Sequence, residues 1–347
     1  MTALVALPEL AELSATADYI ASCQSADGAI AWEIRGETAG KIDAWDHVEC
    51  AMALLVAGRD AQAQAAYEWL ARDQRPDGTW PREWLAGPRG PSVVDPAAET
   101  NMTAYVAVGV WHHWCARGDR GFVEAMWSTV AAALDAVVAA QLPFGGFAWA
   151  IDDGVPCGEA LLAGTSSIHH ALRCGARLAE LLGTTRPDWE LAADTASAAV
   201  RSNEAAFLDK SRYSMDWYYP VLGGALDGAA AHRRIAGRWD EFVVPDLGIH
   251  CVDDHPWVTG AETCELAIAL ARLGDGARAT RLIADMQHLR DPGGSFHTGY
   301  VYTDGERWPI ERSSWTGAAV LLAVDALTPG SPTARVFGAN RRSADVS

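Results

Sequence analysis

The sequence lacks the cysteine pattern of a thiolate metal site, because its seven cysteines are scattered and none forms a C-x-x-C pair. Scattered cysteines of odd number fit reduced thiols in a cytosol better than a disulfide framework. The chain also lacks an uninterrupted run of about 18 apolar residues, which argues against a membrane-spanning helix. Its N-terminus has no basic segment and already contains Glu9 and Glu12, unlike a secretion signal. These absences predict a cytoplasmic protein that does not bind membranes.

Basic residues are scarce as well: 27 Lys and Arg stand against 45 Asp and Glu, a net charge of −18. Nucleic acids and anionic membrane surfaces both require a basic binding surface, so neither is an expected partner. The chain is rich in tryptophan, with 15 residues. Indole rings stack on the faces of sugars, and carboxylates accept hydrogen bonds from sugar hydroxyls. The composition therefore favours a carbohydrate as partner, and it leaves a homo-oligomer open.

Motifs for other chemistries are also missing. The sequence contains no G-x-S-x-G elbow, no P-loop and no dinucleotide fingerprint. The adjacent pairs His112-His113 and His169-His170 diverge by about 100° on a helix, so neither has the spacing of a helical metal site. We therefore predict no metal and no cofactor.

Apolar stripes of helical spacing occur in six pairs, with almost no alternation typical of strands. The second helix of each pair is the more apolar one, which predicts an inner ring of buried helices inside an outer ring of amphipathic ones. The predicted fold is all-α, an (α/α)6 barrel of six helical hairpins in one domain over residues 1–328. The segment 329–347, rich in Ser, Pro, Ala and Arg, is predicted to be a disordered tail. The predicted inner helices are 44–58, 99–118, 165–183, 216–226, 257–274 and 313–327.

Long loops precede these inner helices, and in such a barrel they gather on one face. Long loops in a compact domain usually carry function. The site is therefore expected at this face, near the N-terminal ends of the inner helices.

Two short segments repeat a glutamine–glycine pattern: QSADG at 24–28 and QRPDGTW at 74–80. They resemble the glutamine–tryptophan repeat of the squalene cyclase and protein prenyltransferase superfamily, in which the motif ties an outer helix to the next loop of a helical toroid. The resemblance implies the fold more than the chemistry. An isoprenoid enzyme stays open as an alternative, and it would need an apolar cavity with a metal or diphosphate site.

The acidic motif of the cyclases is absent. Asp152-Asp153 and Asp253-Asp254 both lack the preceding aspartate of an Asp-x-Asp-Asp sequence. No basic cluster that would hold a diphosphate is evident either. The cyclase chemistry therefore does not carry over.

Several glycoside hydrolase families share the same toroid, and the chain is similar to actinobacterial hydrolases of methylmannose polysaccharides. The similarity includes an acid at the start of the first inner helix and a glutamate in WVTGAE at 257–262. It implies a hydrolase of α-mannosides that acts within a methylmannose polysaccharide. A glycan-binding toroid without catalysis is the remaining alternative.

Glycoside hydrolysis needs two carboxyl groups on opposite sides of the scissile bond. We select Asp46 and Glu262, at the starts of the first and fifth inner helices, as the catalytic pair. Helices two positions apart leave room for a water molecule, which predicts inversion. Glu262 is assigned as acid and Asp46 as base, with exchangeable roles. As an alternative, Glu262 closes a capping box with Thr259.

Other side chains at the same face are candidates for substrate binding, although Asp43 also suits a helix N-cap and the loop residues Trp80 and Trp149 equally suit loop staples. Glu311 is interpreted as an ion-pair partner of Arg312. The predicted substrate-binding residues are Asp43, Trp45, Trp80, Glu99, Asn101, Trp149, Asp216, Trp217, Tyr218, Trp257 and Trp315.

Overall fold

The computed structural model describes residues 7–338, and these residues are mainly helical, as the sequence predicts. The helices are α1 (Leu10–Ser22), α2 (Ala44–Val56), α3 (Asp60–Arg72), α4 (Thr100–Ala104), α5 (Val106–Arg117), α6 (Arg120–Ala139), α7 (Leu162–Leu181), α8 (Pro187–Ser202), α9 (Ser214–Leu222), α10 (Gly228–Gly237), α11 (Trp239–Phe242), α12 (Gly260–Arg272), α13 (Gly276–Asp285), α14 (Ser314–Ala326) and α15 (Pro332–Phe337). The helix-rich prediction is confirmed.

Outer and inner helices alternate along the chain. Nearly every residue of α2 is buried, whereas α13 buries only one face through Ala279, Leu282 and Ile283. This contrast follows from composition, because a helix that is apolar all round must be surrounded by other elements. The inner helices contact one another in the order α2, α5, α7, α9, α12 and α14, and α14 contacts α2.

Short strands, which were not predicted, connect the loops that precede the inner helices. They are β1 (Lys41–Ile42), β2 (Glu83–Leu85), β3 (Ser92–Asp95), β4 (Ala98–Glu99), β5 (Ala150–Asp152), β6 (Val155–Pro156), β7 (Val243–Val244), β8 (Gly248–His250), β9 (Trp257–Thr259), β10 (Gly299–Val301) and β11 (Glu306–Arg307). They form antiparallel sheets of order β1-β2-β3, β4-β5-β6 and β11-β10-β9-β8-β7. Strands this short show no readable alternation. Each sheet joins consecutive loops at the same end of the helices.

The glutamine–glycine repeat is a structural tie. The side-chain amide of Gln74 donates hydrogen bonds to the carbonyl oxygens of Gly78, in its own turn, and Thr129, in α6, both at 2.9 Å. Gln24 and Gln141 make the equivalent two bonds to their own turn and to the next outer helix. Gly78 itself is required, because its φ is +87° and a Cβ there would lie 2.2 Å from a carbonyl oxygen of α6.

Replacing this amide should destabilise the protein. We expect Gln74→Ala to lower the free energy of unfolding by about 1–3 kcal/mol, because it removes two partly buried hydrogen bonds that join the turn to α6. The matched control is Gln64→Ala, an exposed glutamine on α3 that donates only to Glu68, with an expected change within about 0.5 kcal/mol. Urea denaturation measures both, and equal losses in the two variants would contradict the assignment.

The end of the described chain differs from the predicted disordered tail, since residues 332–337 form α15. The hydroxyl of Ser331 accepts from the backbone N–H of Ala334 at 3.2 Å, and Val336 and Phe337 are buried. A guanidinium nitrogen of Arg272 donates to the carbonyl of Phe337 at 2.7 Å. The composition of 329–347 is mainly polar, so it gave no indication that Val336 and Phe337 would be buried. Residues 339–347 lie outside the described residues, and the single domain over 1–328 stays a prediction.

Among the described helices, α6 is long and apolar enough to cross a membrane by length and composition alone. It contacts α4, α5 and α7 from the outer ring, and a salt bridge of 2.8 Å joins Arg120 and Glu124 on its first turns. The core helix of a globular protein passes the same test, so this is weak support for a span.

Candidate active site

A cavity of about 310 Å³ lies at the N-terminal ends of the inner helices. Its wall contains four carboxyl groups and four aromatic rings, together with small and polar side chains. The lining residues are Trp32, Asp43, Trp45, Asp46, Glu99, Asn101, Met102, Ala163, Gly164, Ser167, Met215, Tyr219, Thr298, Glu311, Ser313 and Trp315. The structure thus brings together six of the predicted site residues, namely Asp43, Trp45, Asp46, Glu99, Asn101 and Trp315.

Asp43 begins the wall on the α2 side, and it serves as the N-cap of α2. Its carboxylate accepts a hydrogen bond from the backbone N–H of Asp46 at 2.8 Å and another from the indole N–H of Trp32 at 2.6 Å. Burial raises the pKa of Asp43 to about 6, and these donors oppose the rise. Asp43 therefore fixes both the start of the helix and one aromatic wall of the cavity.

Asp46 lies in the first turn of α2, half-buried, with its carboxyl group toward the cavity. Its carboxyl oxygens make no hydrogen bond to another residue in the described range 7–338. Burial raises the pKa of Asp46 well above the ordinary aspartate value, and the negative charges of Asp43, Glu49, Glu311 and Glu265 raise it further. A raised pKa favours the protonated form, which is the form that a general acid needs.

Glu99 faces the cavity from the loop that leads into α4. Burial raises the pKa of Glu99 to about 7, the positive charge of Arg82 lowers it, and Asp43 raises it again. Asn101, on the first turn of α4, lines the cavity beside it. A neutral carboxyl group next to an amide can bind the hydroxyl groups of a sugar.

Glu311 lines the cavity from the segment that precedes α14. Its carboxylate accepts hydrogen bonds from the hydroxyls of Thr38, at 2.8 Å, and Thr298, at 2.6 Å. The predicted ion pair with Arg312 is wrong, because the exposed guanidinium of Arg312 donates to Asp291 instead, at 2.5 Å. Glu311 is thus held in a fixed orientation by two neutral donors.

A buried layer of acids and aromatic rings forms the floor of the cavity. The carboxylate of Glu49 accepts from the hydroxyl of Tyr105 at 2.6 Å and from the indole of Trp315 at 3.0 Å. Glu265 accepts from the hydroxyl of Tyr219 at 3.1 Å. These bonds fix Trp315 and Tyr219, which both face the cavity. Two acids three residues apart occur near the start of α2, as Asp46 and Glu49, and again near the start of α12, as Glu262 and Glu265. This spacing was the only sequence signal for the layer.

Glu262, the second predicted catalytic residue, lies in the first turn of α12 and is buried, but it does not line the cavity. Its carboxyl group lies near the thiol of Cys251, and burial together with the charge of Glu262 raises the pKa of that thiol. The alternative capping box is not formed, because the Thr259 side chain makes no cap hydrogen bond. Glu262 therefore does not act as part of a capping box, and its catalytic role stays a prediction.

Three predicted tryptophans are held within the loops. Trp80 is buried and donates its indole N–H to a backbone carbonyl of α3 at 2.9 Å, as a loop staple. The ring of Trp149 lies against the guanidinium of Arg82, 5.1 Å from its centroid. Trp257 donates to the carbonyl oxygen of Trp308 at 2.8 Å. None of the three predicted tryptophans lines the cavity.

The predicted subsite on α9, formed by Asp216, Trp217 and Tyr218, does not line this cavity either. The carboxylate of Asp216 accepts from the backbone N–H of Ala163 at 3.1 Å, at the start of α7, and burial raises the pKa of Asp216 to about 6. Trp217 is buried and donates to a backbone carbonyl of α10 at 2.9 Å. Tyr218 donates its hydroxyl to Glu265. Their neighbour on α9, Tyr219, is the aromatic residue that reaches the cavity.

No protein-family model matches the chain. It is, however, 52% identical over 322 residues to the MMP endo-(1,4)-3-O-methyl-alpha-D-mannosidase of Mycolicibacterium hassiacum, an alignment that covers 93% of this chain and 88% of the relative. The chain belongs to this mannosidase family. It is a glycoside hydrolase, and the carboxyl-lined cavity is its candidate active site.

Solved glycosidase structures share the fold of this family member. A wild-type glycosidase superimposes with a TM-score of 0.73 at 18% identity, covering 92% of this chain and 97% of the other. A GH63 mannosylglycerate hydrolase from Thermus thermophilus, in complex with Tris, gives a TM-score of 0.66 at 16% identity, with 89% and 99% covered. At such low identity the likeness concerns the fold alone.

Proposed function

We propose that the protein cleaves internal α-(1,4) bonds of a 3-O-methylmannose polysaccharide, with inversion, in the cavity of about 310 Å³. The observation that carries the proposal is the position of Asp46, whose carboxyl group lines a cavity walled by aromatic rings and makes no hydrogen bond to another residue in the range 7–338. The mannosidase relative supports the substrate, because its name specifies the same sugar and linkage.

We further infer that the helices form the complete (α/α)6 barrel of six hairpins. The succession of inner-helix contacts, which returns from α14 to α2, supports it. In this arrangement the cavity occupies the centre of one face, where a long polymer can approach without passing through a tunnel. A cytoplasmic location and a homo-oligomer stay predictions.

The mechanism follows from the position of Asp46 in the cavity and from the raised pKa of its carboxyl group. Its proton passes to the glycosidic oxygen as the bond from that oxygen to the anomeric carbon breaks. A water molecule on the opposite face forms the new bond to the anomeric carbon, and a second carboxylate takes its proton, which gives a β-anomeric product. The sequence prediction assigns Glu262 as acid and Asp46 as base with exchangeable roles, so a mechanism with Asp46 as acid exchanges them and would leave the base to Glu262. We propose Glu311 as the base, because it lines the same cavity and its charge raises the pKa of Asp46.

The aromatic residues of the wall suit the neutral faces of mannose rings. Trp32 is held by Asp43, and Trp315 is held by Glu49, so both rings are fixed before substrate arrives. Trp45 packs flat on Tyr105, with ring centroids 3.7 Å apart. Fixed rings lose little entropy on binding, which favours affinity for a flexible polymer.

The proposal is tested with purified protein and a 3-O-methylmannose polysaccharide. We expect fragments of intermediate length early in the reaction, because an internal cut shortens the polymer faster than it releases monosaccharide. Proton NMR of the first products should show the β-anomer before mutarotation. Release of monosaccharide alone would exclude internal cleavage, an α-anomer would exclude inversion, and no cleavage would exclude the substrate.

The isoprenoid alternative loses its support, because the chain belongs to a mannosidase family. A glycan-binding role without catalysis loses its support for the same reason. The glutamine–glycine repeat that suggested isoprenoid chemistry is accounted for as the tie between turns and outer helices.

A further inference from the structure

Large apolar side chains are exposed on the loops and short strands that precede the inner helices. Six of them are between 42% and 67% exposed, and we name this set the apolar rim. Its members are Ile34, Leu85, Val93, Val94, Trp308 and Ile310. Single exposed apolar residues are ordinary on a protein surface, but several of them on the segments that build a cavity can contribute to a binding surface.

The rim is continuous with the wall of the cavity. Ile310 directly precedes Glu311, and Ile34 follows Trp32 by two residues; both of these neighbours line the cavity. The two loops are bonded to each other, since the hydroxyl of Thr38 donates to Glu311 at 2.8 Å. The rim positions on these loops are therefore fixed at the edge of the active site.

The remaining aliphatic members lie on the sheet β1-β2-β3. Leu85 pairs with Lys41, two residues before the cavity residue Asp43, and Val93 pairs with Trp84. Trp84 is buried and anchors the sheet to the core, whereas Leu85, Val93 and Val94 are exposed. The sheet thus carries further exposed aliphatic side chains next to the segment that leads to Asp43.

We propose that the apolar rim binds the methyl ether groups of the substrate and makes the enzyme prefer methylated over unmethylated mannan; this rests on the proposed function. A methyl ether adds apolar surface and removes a hydroxyl donor, so it gains from contact with aliphatic side chains. An unmethylated hydroxyl gains nothing there and loses part of its hydration.

Two features favour this occupant over others. The rim begins at the cavity, so a polymer that is cut at Asp46 must continue past one edge or another of that cavity. The polymer is also uncharged, which suits the approach to a chain with a net charge of −18. A second copy of the same acidic chain is the competing occupant.

The test compares two α-(1,4)-linked mannose oligosaccharides of equal length, one 3-O-methylated and one unmethylated. The double variant Ile34→Ser/Ile310→Ser should raise KM about fivefold for the methylated compound, a fraction of the effect of one carbon in a closed pocket. For the unmethylated compound, followed as substrate or as competitive inhibitor, we expect less than a twofold change. The matched control is Leu10→Ser/Leu191→Ser, since these leucines are 83% and 68% exposed on outer helices.

The outcomes separate this inference from the proposed function. Suppose that the wild type cleaves the methylated substrate. If the rim variant then raises KM equally for both compounds, or for neither of them, the rim inference is wrong. If the control variant shows the same selective loss, it is also wrong. A change of molecular mass by light scattering in the rim variant alone would assign the rim to self-association instead. Failure of the wild type to cleave methylated substrate would overturn the proposed function itself, and the rim inference with it.

Discussion

Asp46→Asn is expected to lower kcat by about 10³-fold while the protein stays folded and still binds oligosaccharide. The physical reason is that asparagine keeps the shape of the protonated acid but cannot donate its proton to a leaving oxygen. General acid catalysis typically contributes 10²–10⁴-fold. The measurement is kcat on methylmannose oligosaccharide, with the dissociation constant from calorimetry as the check on binding.

The pH dependence gives a second signature. An acid must be protonated to act, so kcat/KM of the wild type should fall as the pH rises through the raised pKa of Asp46. The Asp46→Asn variant should lose this alkaline limb. A substrate with a nitrophenol leaving group needs little protonation, and the variant should therefore retain much more of its activity on such a substrate.

Stability should change in the opposite direction to activity. The pKa of Asp46 is raised in the folded state, so the fold favours the neutral form. The stability that this group contributes is complete below the unfolded pKa of about 3.9, and it is lost as the pH rises toward the folded pKa. Asparagine imitates the neutral form, so the Tm of Asp46→Asn at neutral pH should equal or exceed that of the wild type.

The control is Asp240→Asn, an exposed aspartate on α11. It should leave kcat, the pH profile and Tm unchanged. If Asp46→Asn keeps more than a tenth of wild-type kcat with unchanged binding, Asp46 is not the proton donor. A variant that fails to bind would instead place Asp46 among the binding residues, and the nitrophenyl substrate would then show the same loss.

Apolar periodicity and capping rules were sufficient to place one wall of the site. The start of α2 followed from Asp43 as N-cap, which set Asp46 one turn into the helix and toward the loop face. The predicted residues Glu99, Asn101 and Trp315 reached the same cavity because they also begin inner helices. The position of a helix start fixes how far along the axis of the helix ring a side chain lies, which we call its height.

Height alone does not decide which side chain faces the cavity, and Glu262 shows why. It occupies the same position in α12 that Asp46 occupies in α2, yet it lies beside Cys251. The rotation of α12 about its axis is set by close packing, since a Cβ on Gly260 would lie 2.6 Å from Thr316. Such contacts between distant residues cannot be read from one sequence.

Loop residues were missed for a different reason. Glu311 and Arg312 are neighbours, so an ion pair seemed natural, but adjacent side chains of an extended segment point to opposite sides. One faces the cavity and the other faces solvent. Trp32 and Thr298 reach the cavity only through the folding of their loops, and no periodic pattern marks such positions.

The second large effect is expected at Glu311. We expect Glu311→Gln to lower kcat by about 10³-fold, because glutamine cannot accept the proton of the attacking water. Thr38 and Thr298 donate to different oxygens of Glu311; in glutamine one hydroxyl can still donate to the amide oxygen and the other can accept from the amide nitrogen, so the fold and the binding of oligosaccharide should persist. Measured beside it, Glu262→Gln should change kcat less than tenfold, since Glu262 does not line the cavity.

The sequence prediction expects the larger loss of kcat in Glu262→Gln and the smaller loss in Glu311→Gln. Comparison of the two variants therefore distinguishes the two assignments. Chemical rescue distinguishes loss of a base from loss of structure: azide needs no deprotonation, so it should restore turnover of Glu311→Ala on the nitrophenyl substrate and give a β-glycosyl azide. The azide attacks the anomeric carbon in place of water, and nitrophenolate leaves from the opposite face. If rescue occurs in Glu262→Ala and not in Glu311→Ala, the base lies on α12, and the catalytic water must then reach the sugar from outside the cavity described above.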